Sequence, residues 1–218
     1  MSATGSLKNI KTSNMTALVI IDVQNDFMPY GSLGVPGGEL IVPVINKIQS
    51  FYDVVLATQD WHPQNHISFA SNHPGKKPFE TIGHAGSEQT LWPDHCVQGT
   101  EGAMFHPGLE TNRFAAIFRK GMDPRVDSYS GFYDNLHLIS TGLGGYLREK
   151  GITDIHFCGL ASDICVYYTI NDAVMEGFSV TFVEDASRPL NTGSFNQLKN
   201  EMKKMGVRIC TSETLDFI

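Results

Sequence analysis

The chain has 218 residues, of which 41% are hydrophobic and 18% charged, and it carries a formal net charge of −7 at pH 7. This length and composition are ordinary for a globular protein with one α/β domain, or at most two small ones. The acidic balance, without any run of lysine or arginine, argues against nucleic acid and anionic membranes as partners, and no apolar run is long enough for a membrane span.

The chain opens with a polar segment. Residues 1–16 are rich in Ser, Thr, Asn and Lys and contain no apolar stretch. This composition predicts a disordered N-terminal extension rather than a secretory signal. We therefore expect a single folded domain over 17–218.

Beyond this segment, strand and helix patterns alternate. Runs of apolar and β-branched residues predict strands, and apolar residues at helical spacing predict helices. In chain order we predict a strand at 17–21, a helix at 38–51, strands at 54–58 and 115–118, a helix at 138–150, a strand at 155–159, a helix at 163–177, a strand at 180–184, a helix at 194–205 and a strand at 207–210. This alternation predicts a three-layer α/β fold, in which a six-stranded, mainly parallel sheet carries helices on both faces.

One long segment, 61–113, interrupts the alternation. It shows little periodicity and contains six of the eight histidines, at 62, 66, 73, 84, 95 and 106. An irregular stretch of this length within a compact domain is usually functional. We therefore expect this insertion to be functional, and its histidines make metal binding one of the possibilities.

A chemically useful side chain follows each of the first four predicted strands. In chain order these are Asp22, Asp60, Lys120 and Cys165. Each has an ordinary alternative: a turn or helix cap for aspartate, a solvated charge for lysine and a small buried hydrophobe for cysteine. Parallel α/β sheets, however, bind ligands beyond the carboxyl ends of their strands. The coincidence of four such residues at one edge predicts a site.

Cys165 is predicted at the start of a helix. The helix dipole there favours a thiolate, and the free N–H groups of the first turn could bind a developing oxyanion. The other cysteines, Cys96, Cys158 and Cys210, form no CxxC pair with it or with one another. We therefore expect no disulfide framework and a reducing, cytoplasmic location.

Asp60 and His62 are two residues apart, so in an extended segment their side chains share a face. His95 could complete a set of two histidines and one carboxylate with open coordination positions, suited to zinc or iron. The alternative is a histidine-rich loop whose rings only form hydrogen bonds. Further candidate ligands or supporting groups are His66, Ser68 and His84.

Five ordered motifs connect these residues. They read IIDVQNDF at 20–27, QDWHPQNHISF at 59–69, LWPDHCV at 91–97, RKG at 119–121 and GLASDICV at 159–166. In order and spacing they resemble the nicotinamidase/pyrazinamidase family of cysteine hydrolases, within the isochorismatase-like superfamily. The resemblance extends from about residue 17 to the C-terminus and implies the isochorismatase-like, Rossmann-like α/β fold.

The resemblance implies an amidohydrolase of NAD salvage that converts nicotinamide to nicotinate and ammonia through a cysteine thioester, and that also deamidates pyrazinamide. It implies a catalytic triad of Asp22, Lys120 and Cys165. The family has a cis peptide before the position of Ala161, whose N–H forms the oxyanion hole together with that of Cys165.

The family also binds one divalent metal, usually zinc, and the matching ligands here are Asp60, His62 and His95. The matching aromatic residues around the pyridine ring are Phe27 and Trp92, with Tyr129 as a further candidate. The fourth metal position varies in the family, and either Ser68 or water fills it here. The N-terminal extension has no family counterpart.

Three other functions compete with this interpretation. A related hydrolase of the superfamily, such as an isochorismatase or a carbamoyl-amide hydrolase, is not expected to carry the metal set. A non-catalytic binding protein would not need the intact triad, and a thiol redox protein would need a resolving cysteine close to Cys165. The sequence leaves the oligomeric state open, a homo-oligomer included.

Overall fold

The computed structural model describes residues 15–215. Residues 1–14 of the predicted extension lie outside this range, and Thr16 already belongs to the first strand. In chain order the strands are β1 (Thr16–Ile21), β2 (Val54–Asp60), β3 (Thr81–His84), β4 (Ser87–Thr90), β5 (Phe114–Lys120), β6 (Asp154–Leu160), β7 (Ser179–Arg188) and β8 (Arg208–Cys210). The helices are α1 (Val42–Gln49), α2 (Leu143–Glu149), α3 (Cys165–Met175) and α4 (Thr192–Lys204).

Six strands form one sheet in the order β5-β2-β1-β6-β7-β8. Every neighbouring pair in this sheet is parallel. The predicted α/β fold is therefore confirmed. The chain leaves β1 toward β2 on one side and returns to β6 on the other, so the strand order reverses between β1 and β6. In open parallel sheets such a reversal opens a crevice at the carboxyl ends of the strands.

The hydrophobic core has two layers, one on each face of the sheet. Alternate residues of β1 point to opposite faces: Leu18 and Ile20 join the layer that contains α1, whereas Val19 joins the layer that contains α2, α3 and α4. The segment 61–113 contributes buried residues to the α1 layer, Trp92 among them. This segment therefore covers part of the sheet face on which α1 lies.

Three elements differ from the prediction. The helix predicted at 38–51 starts as a 3₁₀ turn (Gly38–Ile41) before α1. The helix predicted at 138–150 begins only at Leu143, because the Asp134 carboxylate accepts the N–H groups of Leu138 and Ile139 and holds them in a loop.

The third difference lies within 61–113, where β3 and β4 pair as an antiparallel hairpin. Its two turn residues, Ala85 and Gly86, have φ values of +48° and +84°. Such turns are usually signalled by Asn-Gly or Gly-Gly, and alanine gives no such signal. Between residues 15 and 215 no helix has the length and apolar character needed to cross a membrane.

Candidate active site

The structure brings Asp22, Lys120 and Cys165 together at the carboxyl edge of the sheet. Asp22 directly follows β1, Lys120 ends β5, and Cys165 begins α3 after β6. The Lys120 Nζ lies 3.0 Å from the Asp22 Oδ2 and 3.5 Å from the Cys165 Sγ. All three side chains are buried. A carboxyl group, an ammonium group and a thiol therefore share one enclosed site.

Asp22 is held in place by a neighbouring strand. The Thr58 hydroxyl of β2 donates a 2.7 Å hydrogen bond to the Asp22 Oδ1, and the Asp22 N–H donates to the Thr58 oxygen at 3.2 Å. Asp22 has a φ of +47°, in the left-handed region that few non-glycine residues occupy. Backbone strain of this kind clusters at functional sites. The sequence analysis missed Thr58, although a polar residue inside a buried strand was the available signal.

Lys120 links the triad to the predicted metal ligands. Its ammonium donates to the Asp60 Oδ1 and to the Ser128 carbonyl, both at 3.0 Å. Burial disfavours the charged lysine, but the carboxylates of Asp22 and Asp60 outweigh it and hold the pKa of Lys120 well above its ordinary value. Lys120 is therefore a fixed positive charge.

Burial is the largest influence on the other two members of the triad. It raises the pKa of Asp22, against the opposing effect of Lys120. It also raises the pKa of the Cys165 thiol well above its ordinary value; Lys120 opposes this, and the carboxylates of Asp22 and Asp60 add to it. With its pKa raised in this way, the Cys165 sulfur carries a proton that a base must remove. Asp22 shares the Lys120 ammonium with this thiol.

Two main-chain N–H groups beside the sulfur have no acceptor. The Leu160–Ala161 peptide bond is cis. The N–H groups of Ala161 and Cys165 donate to no main-chain or side-chain atom in the range 15–215, whereas the Ala161 carbonyl accepts from Ile164 and Val166. Both donors are available to an oxyanion that forms next to Cys165.

Asp60, His62 and His95 form a buried group whose ligand atoms all lie within 4.8 Å of one another. The Nε2 atoms of His62 and His95 lie 2.9 Å and 3.3 Å from the Asp60 Oδ2. The Nδ1 atoms of His62 and His95 contact the carbonyls of Gly121 and Pro93 at 2.9 Å and 2.8 Å. A carbonyl only accepts, so each Nδ1 carries a proton and each Nε2 is the ring atom that faces the carboxylate.

This arrangement fits a bound cation. The Asp60 carboxylate outweighs burial and raises the pKa of His62, so a positive charge is favoured between the two groups, as a proton or as a metal ion. Metal-ligating histidines usually donate their other N–H to a carbonyl or carboxylate, as both histidines do here. Bonds from zinc to nitrogen or oxygen are about 2.0–2.2 Å, which places two ligands of one ion about 2.9–3.5 Å apart at bond angles of about 90–110°. The two separations from Asp60 fall within that range. The effects of His62 and Lys120 outweigh burial and keep the pKa of Asp60 well below its ordinary value, so it is a carboxylate.

The other candidate ligands differ in position. His66 forms a second buried group with His62 and Asp127, again with ligand atoms within 4.8 Å of one another. The Ser68 hydroxyl lies 2.7 Å from the His66 Nδ1. The His84 Nε2 contacts the Arg125 carbonyl at 2.7 Å, at the surface. The sequence analysis missed Asp127, which lies in an irregular loop and carries no spacing signal.

One cavity joins these groups. Cys165, Lys120, Asp60, His62 and His95 line it, together with the three predicted aromatic residues Phe27, Trp92 and Tyr129. The Trp92 Nε1 donates to the Tyr129 hydroxyl at 3.3 Å, which fixes the two rings edge to face. Further apolar wall residues, which the sequence analysis missed, are Leu33, Val35, Ile164 and Leu190. The cavity suits a flat ring with a polar substituent.

Comparisons with known proteins identify the family to which the chain is similar. A family model described as "Isochorismatase domain" matches residues 16–214. A nicotinamidase of Acinetobacter baylyi is 44% identical over 94% of this chain and 97% of its own. A solved Acinetobacter baumanii nicotinamidase/pyrazinamidase is 46% identical, with a TM-score of 0.89 over 93% of this chain and 99% of that one. The solved pyrazinamidase of Pyrococcus horikoshii, in complex with zinc, is 34% identical, with a TM-score of 0.75 over 90% and 98% of the two chains.

Proposed function

The chain belongs to the nicotinamidase/pyrazinamidase family of isochorismatase-like hydrolases, and from that membership we propose a role for each residue of its site. The reaction is the hydrolysis of nicotinamide to nicotinate and ammonia, a step of NAD salvage, with pyrazinamide as a second substrate. The observation that supports this most strongly is the meeting of Asp22, Lys120 and Cys165 in the cavity that also holds the metal-ligand group and the aromatic walls.

The first half-reaction forms a thioester on Cys165. Asp22 takes the thiol proton as the sulfur attacks the carboxamide carbon, and the carbonyl electron pair moves to the oxygen. The N–H groups of Ala161 and Cys165 bind this oxyanion; one such donor is typically worth about 2.7–4 kcal/mol. When the oxyanion collapses, the carbon–nitrogen bond breaks and the protonated Asp22 returns its proton to the departing ammonia.

The second half-reaction uses the same groups. Asp22, again a carboxylate, takes a proton from a water molecule that attacks the thioester carbonyl, and the same N–H groups bind the oxyanion. Collapse releases nicotinic acid, which gives its proton to the solvent and becomes nicotinate, and the sulfur recovers a proton from Asp22. Lys120 stays protonated throughout, because two carboxylates hold its pKa high, and its charge stabilises the carboxylate of Asp22 and the thiolate as it forms.

We assign Asp60, His62 and His95 as the ligands of one divalent cation, which we propose to be zinc. A cation at these residues would orient the pyridine ring through its nitrogen and withdraw electron density from it, a template role. Phe27 and Trp92 cover the faces of the ring, and burial of an aromatic ring contributes strongly to binding. Tyr129 supports Trp92 through its hydroxyl.

A related hydrolase of the same superfamily is the nearest alternative. Such an enzyme would share the triad, but its reaction would not require the histidine nitrogens that face Asp60 in the buried ligand group. A metal titration therefore separates the two: bound zinc with nicotinamide turnover supports the proposal. Turnover of another amide by a metal-free, folded enzyme would favour the alternative.

His62→Ala is expected to abolish stoichiometric zinc binding and to raise the KM for nicotinamide strongly. It removes a ligand, so the loss of zinc affinity should exceed the about 10- to 100-fold that the loss of a ligand's supporting partner costs. The measurement is zinc content after dialysis, together with initial rates. His106→Ala is the matched control, because His106 lies in the same segment but lines no part of the cavity. Full zinc content in His62→Ala would contradict the ligand assignment.

Gly121→Ala is expected to disturb the metal ligands through one added carbon. Gly121 has a φ of +67°, and a Cβ there would overlap the His62 ring. Gly151 has almost the same φ, +68°, but a Cβ there meets nothing within 4 Å. Both alanine variants should lose about 1–2 kcal/mol of stability from the left-handed backbone.

Zinc titration and thermal unfolding of both glycine variants test this expectation. Only Gly121→Ala should also lose zinc affinity, because only there does the added carbon displace a ligand. Equal zinc affinity in the two variants would show that His62 does not need its observed position.

A further inference from the structure

Asp127 has a buried carboxylate to which the proposed mechanism assigns no role. It lines the cavity and is 3% exposed. Its Oδ1 accepts the Ser128 N–H at 2.8 Å, and its Oδ2 accepts the Gln89 side-chain amide at 2.9 Å. Among residues 15–215, no Lys, Arg or His nitrogen lies within 4.0 Å of it. Buried carboxylates are normally paired with a cation or bind a metal, so a positive partner is missing here.

The position of Asp127 suggests that partner. A ligand atom of Asp127 lies within 4.8 Å of ligand atoms of His62 and His66. His62 also belongs to the group with Asp60 and His95. Asp127 therefore lies beside His62, one of the assigned metal ligands.

The charge of the site points the same way. Asp22, Asp60 and Asp127 carry three formal negative charges, and Lys120 carries one positive charge. With the histidines neutral, as metal ligands are, and Cys165 a thiol, two negative charges remain uncompensated. One divalent cation balances them, and without Asp127 the same cation would leave an excess positive charge in a buried site.

We propose that Asp127 is a further anionic member of the metal site, which holds the cation from the His62 side either directly or through a bound water. Gln89 positions it: this is the buried residue of strand β4, and its amide fixes the Asp127 carboxylate. The hairpin thus contributes to the proposed metal site through Gln89, which contacts Asp127 but does not line the cavity. This inference rests on the proposed metal site at Asp60, His62 and His95.

The test is zinc affinity, measured on metal-free protein by competition with a chromophoric chelator. Asp127→Asn keeps the shape of the side chain but removes its charge, and we expect zinc affinity to fall about 10- to 100-fold, as for other supporting partners of metal ligands. Asp123→Asn is the matched control: Asp123 lies in the same loop but pairs with Arg125 at the surface, and its loss should leave zinc affinity unchanged. Asp127→Ser provides the same test if the asparagine variant does not fold.

The outcomes separate this inference from the proposed function. Reduced zinc affinity in Asp127→Asn, with wild-type affinity in Asp123→Asn, supports the inference. Wild-type affinity in Asp127→Asn, while His62→Ala loses zinc, overturns the role of Asp127 and leaves the ligand assignment intact. Wild-type affinity in both Asp127→Asn and His62→Ala overturns the inference together with the metal site on which it rests.

Discussion

Cys165→Ala is expected to lower kcat for nicotinamide by at least about 10⁴-fold, since removal of a catalytic nucleophile costs about 10⁶-fold in the best-studied hydrolases. No other sulfur lines the cavity in the described part of the chain. Nicotinamide affinity should stay close to wild type, because in the proposed mode of binding the aromatic walls and the metal site hold the ring. Initial rates of ammonia release and calorimetric titration with nicotinamide measure the two quantities separately.

Cys158→Ala is the matched control for this variant. Cys158 is a buried cysteine of β6 that lies in the core layer rather than the cavity. Its alanine variant should lose some stability and keep its turnover. Substantial turnover by Cys165→Ala, with zinc bound and the fold intact, would show that the reaction does not pass through a thioester on Cys165.

Asp22→Asn is expected to lower kcat by about 10²–10⁴-fold, the range for a general acid–base group. Asp22 moves protons in both half-reactions, so we expect the upper part of this range. Asparagine has nearly the same shape and can still accept from Thr58, but it cannot take the thiol proton. The decisive readout is the pH profile of kcat/KM.

The direction in which kcat/KM changes with pH follows from the pKa of Asp22, which burial raises above the ordinary value of a carboxyl group. Wild-type activity should fall as the pH drops through this raised pKa, because a protonated Asp22 accepts no proton. Asp22→Asn should lack this acidic limb. Thr58→Val, which keeps the carboxylate and removes one hydrogen bond to it, should retain the limb and most of the rate. An unchanged acidic limb in Asp22→Asn would assign the base to another residue.

The sequence predicted the sheet well because buried parallel strands appear as continuous apolar runs. Each of the six predicted strands has a counterpart in the sheet. The same logic placed Asp22, Lys120 and Cys165 at one edge, since the carboxyl ends of parallel strands meet there. The structure brings these residues within hydrogen-bonding distance, and their catalytic roles remain predictions.

Other parts of the site could not be predicted for physical reasons. Asp127 lies beside the proposed metal ligand His62 in an irregular loop, whose path depends on tertiary contacts rather than on any periodic pattern. Gln89, whose amide donates to Asp127, belongs to a hairpin whose Ala85-Gly86 turn has no typical sequence signal. The late start of α2 depends on the Asp134 carboxylate, whose capture of loop N–H groups competes with helix formation.

The central claim is that nicotinamide becomes covalently attached to Cys165. The most direct measurement is rapid acid quench of the zinc-loaded wild type during turnover of nicotinamide, followed by proteolysis and mass spectrometry of the peptide that contains Cys165. We expect a nicotinoyl group on that peptide, formed at the rate of ammonia release and absent from peptides that contain the other cysteines. Steady ammonia release with no acyl group on Cys165, under conditions in which a synthetic thioester survives the quench, would contradict the account.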